Sequence, residues 1–320
     1  MLNSKIIGWG HYLPKKIMTN NDLSKFVDTN DEWILSRTGI TQRFIAGKKE
    51  LTSDLAIVAS KNAIKKAGIK SNDIDYIILA TTTPDQTFPS TASKVQASLK
   101  IGNTPSFDVQ AVCSGFIYSL QLADSLIKSR KARNILVIGA ETLSKIVDWN
   151  DRRTCVLFGD GAGAVIIRAE DNECDQGILS SNLFSDGSWH DSLYADGGPS
   201  LDQKVGKIRM NGQDIFKQAV TKLSESTLLS LKDCNKRIED IDFFIPHQAN
   251  LRIINGTAKR LGIPTNKVIS TVDLHANTSA ASIPLALSTS FEKGIINHGD
   301  LIALCAIGGG LTWGSCILRL

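Results

Sequence analysis

Strict alternation of apolar and polar positions gives way to a helical period twice along this chain, at matching places in two halves. In the first half Phe107, Val109 and Ala111 alternate with Asp108 and Gln110, which predicts a strand. Past Ser114-Gly115 the apolar positions fall at Phe116, Leu120, Ala123 and Ile127, the spacing of one helix face. In the second half a strand at 268–272 leads into the small-residue run His275-Ala276-Asn277-Thr278-Ser279-Ala280-Ala281. Other elements pair in the same order. Amphipathic helices over 53–68 and 212–232 precede strands at 74–80 and 241–246. Buried strands at 134–139 and 301–306 follow, and glycine-rich hairpins at 158–167 and 307–318 close the halves.

Five matched elements in one order predict a duplicated α/β core, with helices packed on mixed sheets and the halves related by a pseudo-two-fold. The polar run 169–177 divides the chain into 1–170 and 171–320. Neither glycine-rich hairpin carries the Lys-Ser/Thr of a phosphate loop. The 320 residues, 42% apolar and 21% charged, suit a soluble globular protein with a sizeable core. A net charge of +4 does not point to nucleic acid. The chain has no apolar run of the roughly 18 residues that a membrane span needs. Its first residues read as a strand, not an export signal, so the cytoplasm is the expected location. The six cysteines include no Cys-x-x-Cys pair, so no zinc or other metal site and no disulfide is expected.

Cys113 sits where the first-half strand turns into a helix, beside Ser114 and Gly115. Unpaired N–H groups and partial positive charge at a helix start favour thiolate and lower a cysteine pKa. An open turn of small residues also exposes the sulfur, so Cys113 is the candidate nucleophile. His247, in Pro246-His247-Gln248-Ala249-Asn250, ends the second-half strand, and strand ends are where sites form in α/β sheets. Asn277 falls in the turn that matches the one bearing Cys113. A pseudo-two-fold then brings Asn277 and Cys113 together near the axis, with His247 from the neighbouring strand end. His190 reads as a loop residue, and His275 as pointing away from Asn277 on an extended segment.

Over nearly its whole length the chain resembles the β-ketoacyl-acyl-carrier-protein synthase III family of thiolase-fold condensing enzymes. The resemblance rests on Asp31-Glu32-Trp33-Ile34 with Arg37-Thr38-Gly39-Ile40, Ala111-Val112-Cys113-Ser114-Gly115-Phe116, Phe158-Gly159-Asp160-Gly161-Ala162-Gly163-Ala164 and Pro246-His247-Gln248-Ala249-Asn250-Leu251-Arg252. It extends to His275-Ala276-Asn277-Thr278-Ser279-Ala280-Ala281-Ser282-Ile283-Pro284 and Gly308-Gly309-Gly310-Leu311-Thr312-Trp313-Gly314.

The resemblance implies a duplicated thiolase-like fold, layered α-β-α-β-α. Residues 1–170 would carry the nucleophilic cysteine and 171–320 the histidine and asparagine. It places catalysis at Cys113, His247 and Asn277, and the oxyanion hole at the backbone N–H groups of Cys113 and Gly309. It lines a coenzyme A channel with Trp33, Arg37, Arg152, Phe216, Ala249, Asn250 and Arg252. Phe88 would limit an acyl pocket across a homodimer interface. An acidic acyl carrier protein would dock on Gln248, Ala249, Asn250, Leu251, Arg252, Lys217, Lys259 and Arg260. The family binds no cofactor tightly; acyl-coenzyme A is a substrate. Three positions depart from its pattern: Ile307 stands for a common Phe, Gln213 for an Asn, and Arg153 for a Gly.

These groups suit decarboxylative condensation. A thiolate takes the acyl group, and two N–H donors then stabilise the enolate formed when malonyl thioester loses carbon dioxide. His247 must then be neutral, and it is not an essential base for Cys113. A thiolase needs a second cysteine where Ile307 stands, and chain-elongating relatives use two histidines where Asn277 supplies an amide. A plant-type polyketide synthase shares the three groups but is longer. A Cys-His hydrolase and a non-catalytic acyl-binding subunit are the other readings.

Overall fold

The computed structural model describes residues 2–171 and 175–320. Met1, and residues 172–174 with Cys174 inside the expected boundary run, lie outside the described residues. Each half builds one mixed sheet. The first has the order Leu2–Tyr12, Asp160–Asp171, Asn134–Thr142, Tyr76–Ala80, Ser106–Val109. The second has the order Gly177–Ser185, Thr312–Arg319, Leu301–Gly308, Phe243–Pro246. The same pattern runs through both: two antiparallel pairings, then parallel pairing, twice in the first sheet and once in the second.

Two expected elements differ. The 268–272 strand is reduced to one parallel bridge between Val268 and Phe244, and a short helix, Val272–His275, follows. Its pairing is satisfied locally: the Ile269 N–H donates to the Phe244 carbonyl, and the Thr271 N–H donates to the Gln248 side chain. The glycine-rich 158–167 stretch is not a hairpin. It opens a single long strand, Asp160–Asp171, inserted between Leu2–Tyr12 and Asn134–Thr142. Only Leu301–Gly308 and Thr312–Arg319 form the hairpin expected of both stretches.

Alternating strand side chains explain the layering. From Tyr76–Ala80, Ile78 joins the core between the sheets, while Ile77 and Leu79 face the outer helices. The middle layer is a pair of buried helices, Gly115–Lys128 and Ser282–Glu292. Phe116, Leu120, Ile283 and Leu287 pack there against Val137 and Val165 of one sheet and Ile302 and Leu304 of the other. Thr52–Ala67 and Thr91–Ser98 cover the first sheet outside. Gly212–Asp233 and Leu251–Leu261 cover the second. The result is five layers, α-β-α-β-α, with the two buried helices starting near each other at the centre. Among the described residues no helix is long and apolar enough to cross a membrane.

Candidate active site

Each buried helix is entered through a one-turn 3-10 segment, Val112–Ser114 in the first half and Ser279–Ala281 in the second. Both segments begin with a non-glycine residue in the left-handed region, Val112 and Ser279, each at φ 49°. For β-branched Val112 this is strained backbone, held only because surrounding structure over-determines it. The correspondence corrects the expected symmetry. Ala280, not Asn277, is the counterpart of Cys113, and Asn277 lies three residues earlier. Asn277 reaches the site because its backbone pairs across to the first half: its N–H donates to Leu157 O at 2.9 Å, and its carbonyl accepts from Gly159 N at 3.0 Å.

The turn bearing Cys113 is pinned by the other half. Thr312 Oγ1 lies 2.9 Å from the Ala111 carbonyl and 2.8 Å from Ser114 Oγ. Gly308 packs on the Cys113 backbone so closely that a Cβ there would lie 2.6 Å from the Cys113 nitrogen. Cys113 is 5% exposed. Burial pushes its thiol up to about 12, and the nearby Glu141 carboxyl adds to the rise. This reverses the lowering expected from the helix start: desolvation of a thiolate in a closed site outweighs the field of one helix end.

His247 follows the strand Phe243–Pro246, with its N–H on the Cys305 carbonyl at 2.7 Å. Its Nδ1 is 2.7 Å from Ser282 Oγ, which also accepts from the Gln248 N–H at 3.3 Å. With the Ser282 hydroxyl donating to Nδ1, the imidazole proton sits on Nε2. Burial holds His247 neutral, lowering it to about 3. Asn277 Oδ1 accepts from the Ser279 N–H at 2.9 Å, which fixes the amide and leaves its NH₂ as a donor.

Cys113, His247 and Asn277 line one cleft of about 940 Å³, together with Trp33, Arg37, Phe216, Ala249, Asn250 and Arg252. The Arg37 and Arg152 guanidinium groups lie 4.5 and 5.3 Å from the Trp33 ring centre, and Arg252 lies 5.3 Å from that of Phe216. Lys217 and all three departing residues, Ile307, Gln213 and Arg153, also line the cleft. Arg152 does not; it turns to Asp28 at 3.1 Å. Phe88 is 81% exposed and lies off this chain's own cleft.

Gln248 is a correction. Expected on a docking surface, it is fully buried, because its amide ties Pro246, Ile269 and Thr271 together beneath the site. Leu251 is 37% exposed at the start of Leu251–Leu261, where its side chain packs on Gly39. Lys259 and Arg260 lie at the far end of that helix, with Arg260 3.7 Å from Glu225. His190 is exposed, and His275 is buried off the cleft, its ring 6.2 Å from that of Phe44. Sequence reasoning did not anticipate Leu193 and Met210, which close one cleft wall from the strands Leu193–Ala195 and Ile208–Met210. Nor did it anticipate a role for Ser282, though that residue directly follows the small-residue run read around Asn277.

Residues 107–187 match the family of 3-oxoacyl-[acyl-carrier-protein (ACP)] synthase III, and residues 231–320 match that family's C-terminal region. A β-ketoacyl-[acyl-carrier-protein] synthase III of Rhizorhabdus wittichii is 54% identical over 319 residues, covering 100% of both chains. The protein of that name in Rickettsia rickettsii is 56% identical over 319 residues, covering 99% of this chain and 100% of its own. The chain belongs to this family. The crystal structure of 3-oxoacyl-[acyl-carrier-protein] synthase III from Aquifex aeolicus superposes with a TM-score of 0.94 at 50% identity, covering 99% of this chain and 100% of that one. That from Pseudomonas aeruginosa gives 0.94 at 39% identity, covering 99% and 98%. This chain is therefore an acyltransferase-type condensing enzyme with the thiolase fold of its family.

Proposed function

We propose that Cys113, His247 and Asn277 carry out the family's initiating condensation here. An acyl-coenzyme A primer, acetyl-coenzyme A first among them, is joined to malonyl-acyl-carrier-protein with loss of carbon dioxide, giving a 3-oxoacyl-acyl-carrier-protein. The observation that carries this reading is the meeting of the three side chains on one cleft with their donor groups already oriented.

In the first step the Cys113 sulfur attacks the primer carbonyl, and coenzyme A leaves. The backbone N–H groups of Cys113 and Gly309 hold the oxyanion, a role supported by the packing of Gly308 on the Cys113 backbone. In the second step the malonyl carboxylate departs as carbon dioxide, and charge moves onto the thioester oxygen. His247 Nε2–H and the Asn277 NH₂ donate to that oxygen. The enolate carbon then attacks acyl-Cys113, releasing the sulfur.

Coenzyme A enters past Trp33 and Arg37 on one side and Phe216, Ala249, Asn250 and Arg252 on the other, with Arg152 beside Trp33 outside the cleft itself. The guanidinium groups stacked on Trp33 and Phe216 put positive charge where its phosphates pass. The units 1–170 and 171–320 act as two thiolase-like halves in a cytoplasmic homodimer that needs no tightly bound cofactor or metal. The exposure of Phe88 favours its contribution to the partner's acyl pocket. An acyl carrier protein docks through Arg252, Lys217 and Leu251 at the mouth, with Lys259 on the same helix face as Arg252 and Arg260 beside it. Reversing Lys259 and Arg260 to Glu raises the KM for malonyl-acyl-carrier-protein and leaves the coenzyme A step alone; steady-state kinetics with both substrates varied separate the two.

The reading is tested with purified protein, acetyl-coenzyme A and malonyl-acyl-carrier-protein. Equal amounts of carbon dioxide and 3-oxobutanoyl-acyl-carrier-protein are expected by mass spectrometry. Free acetate in their place identifies a Cys-His hydrolase, and no turnover identifies an acyl-binding subunit.

A further inference from the structure

Arg43 is 0% exposed, in the strand Gln42–Ile45 that pairs with Lys16–Thr19. A guanidinium at that depth is costly, and among the described residues no carboxylate pairs with it. Its donors go instead to three uncharged oxygens. Nη2 donates to the Val156 carbonyl at 2.9 Å. Nη1 donates to the Asn20 side-chain oxygen at 2.9 Å and to the Met18 carbonyl at 3.3 Å. Nε has no partner. An apolar side chain would fill this space at less cost, so packing alone does not account for the charge.

What the guanidinium holds accounts for it. Asn277 makes both of its backbone hydrogen bonds to 157–159, giving its N–H to the Leu157 carbonyl and accepting from the Gly159 N–H. Val156, whose carbonyl Arg43 takes, precedes Leu157 directly, and Val156, Leu157 and Phe158 line the cleft. The chain around Arg43 backs the same stretch. A Cβ on Gly159 would lie 3.1 Å from the Arg43 Cβ, and the Ala46 N–H donates to the Asp160 carboxylate at 2.7 Å. The other end of the guanidinium is anchored too. The Asn20 amide nitrogen donates to the Ile40 carbonyl at 2.7 Å and to the Asp31 carboxylate at 2.8 Å, which leaves its oxygen for Arg43. One rigid planar group therefore ties Asn20 to Val156, one residue away from the Leu157 carbonyl that Asn277 uses.

We propose that Arg43 is a positioning residue for the condensation, holding 156–159 in the place from which the Asn277 amide meets the enolate oxygen. Arg43 does not line the cleft, so it acts only through that segment. Its removal strikes decarboxylation, which uses Asn277, and spares the acylation of Cys113. The fork of donors matters more than the charge. A lysine carries the charge, but a single ammonium cannot replace a planar group that bonds Asn20 and Val156 at opposite nitrogens.

This rests on the proposed role of Asn277 in decarboxylation. The test measures two single-turnover rates: acetylation at saturating acetyl-coenzyme A by intact mass, and carbon dioxide release from malonyl-acyl-carrier-protein by the acetylated protein. Arg43→Met and Arg43→Lys are each expected to slow carbon dioxide release about a hundredfold, the cost of a misplacement near 1 Å, with acetylation close to wild type. Combined with Asn277→Ala, Arg43→Met adds no further loss; combined with His247→Ala, it still does. A merely structural arginine would lower both backgrounds alike. A full loss from Arg43→Met on top of Asn277→Ala, equal losses in the two rates, or a wild-type rate in Arg43→Lys overturns the proposal. Thermal melts accompany each variant, and failure of both Arg43 variants to fold makes the residue structural and overturns it as well. If Asn277→Ala alone leaves carbon dioxide release unchanged, the proposed function and the role of Arg43 fall together.

Discussion

His247→Ala keeps acyl transfer to Cys113 and loses malonyl decarboxylation. The imidazole is neutral and supplies only an Nε2–H donor to the cleft, so its removal strikes the step in which charge grows on the malonyl thioester oxygen. Loss of one such donor typically costs about 3 kcal/mol, or roughly a hundredfold to a thousandfold in rate. Asn277 remains, its amide still fixed by the Ser279 N–H, so the residual rate is set by a single donor. The first step uses backbone donors and the sulfur, none of which His247 touches, and acetylation stays close to wild type. Burial also removes His247 from titration between about pH 5 and 8, so decarboxylation shows no histidine step in that range. Single-turnover acetylation and carbon dioxide release, followed separately, check both statements. Equal losses in the two steps would make His247 a base for Cys113.

Gly308→Ala slows both steps that involve Cys113 on the order of a hundredfold. A Cβ at 308 would lie 2.6 Å from the Cys113 nitrogen, 2.9 Å from the Ala111 oxygen and 3.0 Å from the Val112 Cβ. Those atoms are backbone or a stiff branched side chain, and the turn that holds them already strains Val112 at φ 49°. It has no slack, because Thr312 and Ser114 fix the Ala111 carbonyl from both sides. The sulfur and the N–H groups of the proposed oxyanion hole must shift, and a displacement near 1 Å costs on the order of a hundredfold in a reaction that depends on alignment. Gly102→Ala is the control, since nothing lies within 4 Å of a Cβ there. Acetylation measured by intact mass, beside a thermal melt of each variant, separates a displaced nucleophile from a protein that fails to fold.

The duplicated core was legible because its elements are long and strongly patterned. The helices Thr52–Ala67 and Gly212–Asp233 fall within a residue of where their apolar spacing puts them. The strands beside them are buried on both faces and read as apolar runs. What failed was local. The 268–272 strand has the composition of a strand, but its hydrogen bonds go to a side chain and a single neighbour. The counterpart of Cys113 was misplaced by three residues, because polar Asn277 stands out in the sequence while Ala280, which matches Cys113, carries no chemical signal. Gln248 looks like surface in a polar stretch, yet its amide bonds go to the Pro246 and Ile269 carbonyls and the Thr271 N–H. The direction of the Cys113 shift was missed for a related reason. The helix start is visible in sequence, but the closed packing and the Glu141 carboxyl that oppose it are assembled from segments about 30 to 195 residues away.

Intact-mass measurement with peptide mapping, after exposure to acetyl-coenzyme A and then to malonyl-acyl-carrier-protein, tests the central claim most directly. The account predicts a single acetyl adduct on the peptide bearing Cys113, discharged on adding the malonyl substrate as 3-oxobutanoyl-acyl-carrier-protein appears. An adduct on another residue, or one on Cys113 that malonyl substrate leaves in place, would contradict it.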